Sequence, residues 1–155
     1  MNTHICKAKV VYGCSWGKKP GEWVYGYYVA LPDEYGHDED ICHAIFEPDC
    51  EHVYMGEYKD DGWYKVDPDT VCRCTGERDK DGNLIFEHDI VSAPAGLICE
   101  VIWYNGCKYV GWALKSRFRW FNENTSIFQK ELDCTLLEFR NGNNLVVLYN
   151  KFDNT

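Results

Sequence analysis

Short apolar runs, rich in aromatic and β-branched residues, recur along the chain between clusters of Gly, Pro, Asn and Asp. This alternation is typical of β-strands joined by turns. The runs that we predict as strands are residues 9–14, 22–31, 53–58, 63–66, 70–75, 84–86, 90–93, 98–103, 108–114, 132–139 and 145–152. Residues 41–46 are apolar but too few to be assigned from periodicity alone. The pattern predicts a mainly β protein with little helix.

Turn residues indicate where these strands reverse. The Asp-Gly pair in residues 79–83 and the Asn-Gly pair in residues 141–144 tolerate positive φ, so each predicts a tight hairpin. Several short strands at this spacing favour a small barrel. Leu114, Phe118 and Phe121 also fit a helical stripe, which allows one helical turn there.

Composition and charge narrow the class of protein. The 155 residues are 45% hydrophobic and 15% aromatic, enough for a folded core, and the formal net charge is -9. Such an acidic balance opposes non-specific nucleic-acid binding and permits a basic protein partner. Neither a membrane-spanning run nor a secretory h-region is visible, so we expect a cytoplasmic protein with no membrane partner.

Nine cysteines are present, an odd number. In a reducing cytoplasm they are expected as thiols that pack like small apolar residues. Cys72 and Cys74 lie two apart in a strand-like run and point to one face, so they cannot readily bond to each other. A thiolate cluster of this pair with Cys99 or Cys107 is the alternative, and core packing is favoured over it.

A set of spaced motifs resembles one known protein family. The sequence reads Val66-Asp67-Pro68-Asp69-Thr70-Val71, Thr75-Gly76, Asp79-Lys80-Asp81-Gly82, Ile85-Phe86-Glu87 and Asp89-Ile90-Val91, preceded by Trp23-Val24-Tyr25-Gly26-Tyr27 and followed by Leu145-Val146-Val147. These runs are similar to the signature of the YopX family, whose members occur in phages and prophages. The departures from that signature are His88 and Tyr149 in place of glycines, and Cys72 where a glycine is common.

The resemblance implies a fold and no chemistry. Members look β-dominated and end in a small SH3-like barrel, so we expect an N-terminal β region of hairpins over residues 1–86. This region is expected to pack, in one compact unit, with an SH3-like small barrel over residues 87–155. The family implies no catalytic residues. Structural roles are expected for Pro68 as a stiff extended approach, for Asp79 and Gly82 as a turn, and for Asp89 as an acceptor of backbone N–H groups.

The residues closest to a metal-binding set are two cysteines and two histidines. They are Cys42, His43, Cys50 and His52, with His37 nearby. Zinc takes thiolate and imidazole ligands, but this spacing matches no usual knuckle, so a loop with surface histidines is favoured. The acidic residues Glu34, Asp38, Glu39 and Asp40 lack the EF-hand pattern, and a solvated loop is favoured there too. No cofactor is predicted, with zinc as the alternative.

Two further groups contain residue types that are used in catalysis or binding. His88 lies between Glu87 and Asp89, as a general base with flanking carboxylates would, although a solvent-facing turn histidine is favoured. A basic-aromatic patch is formed by Lys115, Arg117, Phe118, Arg119 and Trp120. This patch suits nucleic acid or a protein interface, and equally a half-buried strand whose Arg stems cover the core.

The resemblance implies an accessory protein of phage type in the cytoplasm of a bacterial host cell, and a binding or self-assembling module is favoured over an enzyme. A protein partner or a second copy is the expected contact. The alternatives are a metal-dependent enzyme or zinc-stabilised module at Cys42 and Cys50, and a nucleic-acid binder through Arg117 and Arg119, which the acidic charge disfavours. P-loop, dinucleotide-binding, nucleophile-elbow and zinc-protease motifs are missing from the sequence.

Overall fold

A computed structural model describes residues 4–12, 17–32, 41–48, 62–105, 110–116, 134–135 and 144–153. Its strands are β1 (Ile5–Tyr12), β2 (Trp23–Pro32), β3 (Ile41–Phe46), β4 (Trp63–Val66), β5 (Cys72–Arg78), β6 (Leu84–Phe86), β7 (Asp89–Ala93), β8 (Leu97–Asn105), β9 (Val110–Ser116), β10 (Cys134–Thr135) and β11 (Val146–Asn150). Within these ranges the only helical segments are single 3₁₀ turns at Pro68–Thr70 and Pro94–Gly96. The predicted mainly β fold with little helix is confirmed.

Most of the predicted strands in the described ranges are found with small shifts. Residues 63–66 and 84–86 match β4 and β6, while β1 starts at Ile5, four residues before the predicted run. Leu114 lies in β9, so the helical stripe predicted from it is wrong at that residue. Residues 53–58, 118, 121 and 141–143 lie outside the described residues. In the part of the chain that is described, we find no helix long and apolar enough to cross a membrane.

The chain divides into two compact units, residues 2–74 and residues 75–155. In the first unit β1 pairs with β2, β2 with β3, β3 with β4, and β4 returns to β1, all antiparallel. Four strands are thereby closed into a small barrel within residues 2–74, which confirms that the fold contains one. The SH3-like barrel expected over residues 87–155 stays a prediction. The predicted boundary between residues 86 and 87 stays a prediction.

The barrel interior is filled by small and branched side chains. They are Ala8, Val10, Val24, Ile45 and Val66. Because successive side chains of a strand point to opposite sides, the neighbours of these residues face outward. A ring of only four strands encloses little volume, so its fully buried side chains are small or branched, and Tyr28 and Tyr64 pack against them while partly buried.

Gly26 occupies a point where the backbones of β2 and β3 approach closely. A Cβ atom added to it would overlap the carbonyl oxygen of Phe46 and lie 2.6 Å from the carbonyl carbon. These are backbone atoms of the paired strand β3, which cannot rotate away as a side chain can. The glycine of the Trp-Val-Tyr-Gly-Tyr run is therefore required by the curvature of β2.

The second unit contains a five-stranded sheet in the order β10-β9-β8-β7-β11. The β7–β8 hairpin turns through the 3₁₀ segment Pro94–Gly96. One core cluster joins this sheet to β6 and comprises Ile85, Val91, Ala93, Cys99, Val101, Leu114 and Leu145. The hairpin of β5 and β6 turns at residues 79–83, as the Asp-Gly pair predicts, and Gly82 donates its N–H to the Asp79 carbonyl oxygen at 3.0 Å.

We predict that Gly26→Ala destabilises the barrel by about 3 kcal/mol or more, because overpacking against fixed backbone atoms is costly. Urea unfolding followed by fluorescence measures the loss. Gly21→Ala is the matched control, since Gly21 has φ +84 with no atom within 4 Å of an added Cβ. Its cost is the left-handed backbone alone, about 1–2 kcal/mol. Equal losses in the two variants would contradict the close approach at Gly26.

Candidate functional site

Two of the predicted metal ligands, Cys42 and His43, are neighbours on β3. His43 is stacked on Tyr28, with ring centroids 5.9 Å apart and planes 15° apart, and its Nδ1 is hydrogen-bonded to the Tyr28 hydroxyl. Cys50, His52 and His37 lie outside the described residues. Among the residues that are described, no three His, Cys, Asp or Glu side chains are grouped as metal ligands would be. The zinc site stays a prediction.

The Tyr28–His43 pair belongs to the barrel wall. Burial raises the pKa of Tyr28, and the charge of the Cys6 thiol group raises it further. A tyrosine held as a neutral hydroxyl keeps its hydrogen bond to the imidazole. The imidazole of His43 therefore has a structural contact inside the fold. Binding a metal through Nδ1 would require this hydrogen bond to Tyr28 to break.

The cysteines of the predicted second thiolate cluster are buried thiols. Cys72, Cys74 and Cys99 are all buried, and Cys72 donates its S–H to the Thr70 carbonyl oxygen at 3.2 Å. Cys99 belongs to the hydrophobic core of the second unit. Core packing is thus confirmed for these three thiols, and Cys107 lies outside the described residues.

One residue of the predicted basic-aromatic patch is described. Lys115 is exposed near the end of β9, opposite Glu100 of β8 in the strand register. Arg117, Phe118, Arg119 and Trp120 lie outside the described residues, as does the acidic segment of residues 33–40. Their proposed contacts with partners or cations stay predictions.

The first family motif, residues 66–71, builds a capped turn in the barrel unit. Asp67 is the N-cap of the 3₁₀ segment, with its carboxylate accepting the Asp69 N–H at 3.0 Å. The buried Thr70 hydroxyl donates to the Asp67 carbonyl oxygen at 2.8 Å and accepts the Lys9 N–H at 2.9 Å. Pro68 opens this turn, so the extended approach expected from it is confined to Asp67, whose φ and ψ are -74° and 113°.

The second motif carboxylate, Asp79, is buried and organises the β5–β6 turn. Its Oδ1 accepts the backbone N–H groups of Asp81 and Asn83 at 3.0 and 2.8 Å. Its Oδ2 accepts the Asn83 side-chain amide and the Val147 backbone N–H, both at 3.2 Å. Burial alone would raise the pKa of Asp79, but these four hydrogen bonds favour the charged form and lower the pKa below its usual value.

The third motif carboxylate, Asp89, is fully buried and joins a turn to the last strand. Its Oδ2 accepts the Phe86 N–H at 2.7 Å, and its Oδ1 accepts the Asn150 side-chain amide at 2.8 Å. That amide also donates to the Glu87 carbonyl oxygen at 3.2 Å. The expected acceptor role of Asp89 is confirmed, and Asn150 is a partner that the sequence analysis missed.

His88 stands where the family has a turn glycine and adopts the conformation of one. Its φ is +64°, and it is the only described residue other than glycine with positive φ. Its Nδ1 donates to Glu100 at 2.8 Å, and its ring meets the Phe152 ring edge-on at 5.5 Å. The carboxylate beside the imidazole is therefore Glu100 from β8, and neither of the sequence neighbours.

These contacts give the motif residues Asp79 and Asp89 structural roles. Each carboxylate oxygen of Asp79 and Asp89 accepts at least one hydrogen bond from the chain's own N–H groups. A carboxylate held in this way is neither a mobile proton acceptor nor an open metal ligand. Asp79 and Asp89 therefore hold turns and strands of the second unit in place.

A row of exposed aromatic rings lies on the outside of the barrel. The register places Tyr27 of β2 opposite Phe46 of β3, and Phe46 opposite Trp63 of β4. Their side chains are 45%, 37% and 43% exposed, and Tyr25 lies two residues before Tyr27 on the same side of β2. We call Tyr25, Tyr27, Phe46 and Trp63 the aromatic face. Rings in one row across three adjacent strands span about 10 Å.

Lysines border the aromatic face. Lys7 and Lys9 of β1 hold their ammonium groups 4.9 and 4.7 Å from the Trp23 ring. Lys65 is exposed on β4, two residues from Trp63 and on the same side. The sequence signal for this surface is the period of two in Trp23, Tyr25 and Tyr27, but the pairing that aligns the strands is needed to collect the rings.

We predict that Asp79→Asn lowers the free energy of unfolding at neutral pH by about 1–3 kcal/mol. The amide nitrogen of the asparagine would face N–H groups that a carboxylate oxygen accepts in the wild type. The lowered pKa means that the charged carboxylate stabilises the fold above about pH 4 and that this stabilisation is lost as pH falls. The gap between wild type and variant should therefore shrink in acid. Urea unfolding at several pH values measures it.

Asp81→Asn is the control for Asp79→Asn, since Asp81 is exposed in the same turn and pairs with Lys80. Its expected effect is within about 0.5 kcal/mol at every pH. A constant gap between wild type and Asp79→Asn from neutral to acid pH would contradict the role given to the Asp79 charge.

We predict that His88→Gly is more stable than His88→Ala by about 1 kcal/mol. Both variants lose the Glu100 hydrogen bond and the Phe152 contact, so the difference between them isolates the left-handed backbone at this position. Thermal and urea unfolding of the pair give the difference. An alanine variant as stable as the glycine variant would rule out positive φ at residue 88.

Comparison with known proteins agrees with the motifs. Residues 15–147 match the family described as YopX protein, which covers most of the chain. Neither a curated protein nor a solved structure matches the chain. The match includes the capped turn at Asp67, the Asp79 turn and the Asp89 acceptor, whose contacts are described above. The chain belongs to the YopX family.

Proposed function

We propose that this protein is a non-enzymatic binding module, a phage- or prophage-type accessory protein that recognises another macromolecule or a second copy of itself. The observation that carries the proposal is the aromatic face, a row of half-exposed rings on the outside of a closed barrel. Aromatic side chains are enriched where proteins bind partners, since they offer large contact areas at a low entropy cost.

The described polar groups support a binding role over catalysis. The carboxylate oxygens of Asp79 and Asp89 accept hydrogen bonds from backbone and amide donors of the chain. His88 has a carboxylate partner in Glu100, but a general base also requires a nucleophile or a substrate within reach. Lys151 holds its ammonium group 3.6 Å from the Glu100 carboxylate and adds a surface ion pair. The described residues around His88 therefore make a structural cluster.

The acidic charge and the resemblance support a specific partner, which is either another macromolecule or a second copy of the chain. A net charge of -9 keeps the protein soluble and discourages random association with nucleic acid. A specific contact then requires a local surface with its own chemistry. The aromatic face, with its bordering lysines, is such a surface.

The test is affinity capture from bacterial lysate with the tagged full chain, with and without nuclease, together with light scattering for self-association. We expect a specific macromolecule or a defined oligomer, and loss of either in Phe46→Ala. Tyr149→Ala, at a residue that is 40% exposed in the second unit, is the control and should behave as wild type. A monomer that captures nothing would contradict the proposal.

A further inference from the structure

The charge of the barrel unit is divided unevenly between strands and connections. Residues 2–74 contain 7 Lys and Arg against 14 Asp and Glu. Strands β1 to β4 contain three of the lysines and not one acidic residue. The net acidity therefore comes from the segments that join the strands, and the wall of the barrel is locally cationic.

The three strand lysines lie around the aromatic face; Lys7 is buried, and of the three Lys9 and Lys65 are accessible to a ligand. In the register Lys7 is opposite Tyr25, Lys9 is opposite Trp23, and Lys65 lies beside the Trp63 end of the row. Flat rings in a row with ammonium groups at both sides are suited to a ligand that has flat groups of its own and negative charge between them. Among macromolecules, single-stranded nucleic acid has this chemistry.

We infer that the aromatic face binds single-stranded nucleic acid, with unpaired bases stacked on Tyr27, Phe46 and Trp63 and phosphates near Lys65. The inference rests on the proposed binding function and names the ligand class of the same surface. Small barrels and open sheets present aromatic rings to unpaired bases in this way. Duplex is excluded, because its bases are already stacked and offer no open ring faces.

The regular spacing of the rings separates this ligand from an acidic protein segment. A peptide carboxylate would pair with the lysines, but a peptide carries no regular series of flat side chains to stack on the row of rings. Bases instead offer one ring per backbone unit, so a row of rings about 4.8 Å apart can be used throughout its length. The acidic connections oppose the phosphates, so we expect affinity to depend on stacking and to be strongest at low salt.

The experiment uses fluorescence anisotropy of a labelled oligothymidine of about 20 nucleotides, titrated with the full chain at about 20 and about 200 mM salt. We expect saturable binding that weakens with salt, and little binding to a duplex of the same length. Phe46→Ala and Trp63→Ala should each weaken binding by about 5- to 150-fold, the range measured for loss of one stacking ring.

Further variants keep the inference falsifiable if an alanine variant fails to fold. Lys65→Glu changes an exposed side chain, and should lower affinity and reduce the salt dependence by about one phosphate contact. Trp63→Phe retains a ring and should bind nearly as wild type. Tyr149→Ala is the control for exposed rings elsewhere and should be unchanged.

The outcomes are distinct. Absence of oligothymidine binding at low salt, or binding that survives both Phe46→Ala and Lys65→Glu, overturns the inference. Binding that is lost only in Arg117→Ala/Arg119→Ala places nucleic acid at the other patch and also overturns it. If the chain captures a protein partner and ignores the oligonucleotide, the binding function stands and the nucleic-acid ligand falls.

Discussion

Buried carboxylates that accept backbone N–H groups are the interaction on which the second unit depends. Where a short strand ends, its N–H groups lose their ladder partners and must be satisfied in another way. Asp89 does this for Phe86 at the β6–β7 turn, and its other oxygen holds the Asn150 amide on the last strand. One side chain therefore fixes a local turn and a contact between residues 61 positions apart. Asp79 has the same role in this unit, since its carboxylate holds the β5–β6 turn and accepts the Val147 N–H.

The barrel unit depends instead on a limit of space. Four strands close around a buried cluster of alanine, valine and isoleucine, with Tyr28 and Tyr64 packed against it, and the backbones of β2 and β3 come so near at Gly26 that a methyl group does not fit. The alternation of each strand places every second side chain outside the barrel. Tyr27, Phe46 and Trp63 stand at such outward positions, so the register of the strands decides which rings are exposed together.

Much of the fold could be predicted from the chain because its signals are local. The Asp-Gly turn at residue 79, the strands at residues 63–66 and 84–86, and the apolar use of Cys72 and Cys99 all follow from short windows of sequence. The candidate site could not, because its parts are distant in sequence. Tyr27, Phe46 and Trp63 become neighbours only through strand register, and the partner of His88 is Glu100 across the sheet.

The contact between Asp79 and Val147 also limits how the sheet of the second unit can pair with another strand. Strand β11 is an edge of the five-stranded sheet, and an edge with open N–H and C=O groups is a template for pairing with another chain. Here the Val147 N–H is taken by Asp79, the Leu145 carbonyl oxygen accepts the Lys80 N–H, and the register shifts after Val147. The turn at Asp79 thereby occupies hydrogen-bonding groups at this end of the sheet and leaves fewer of them for pairing with another strand.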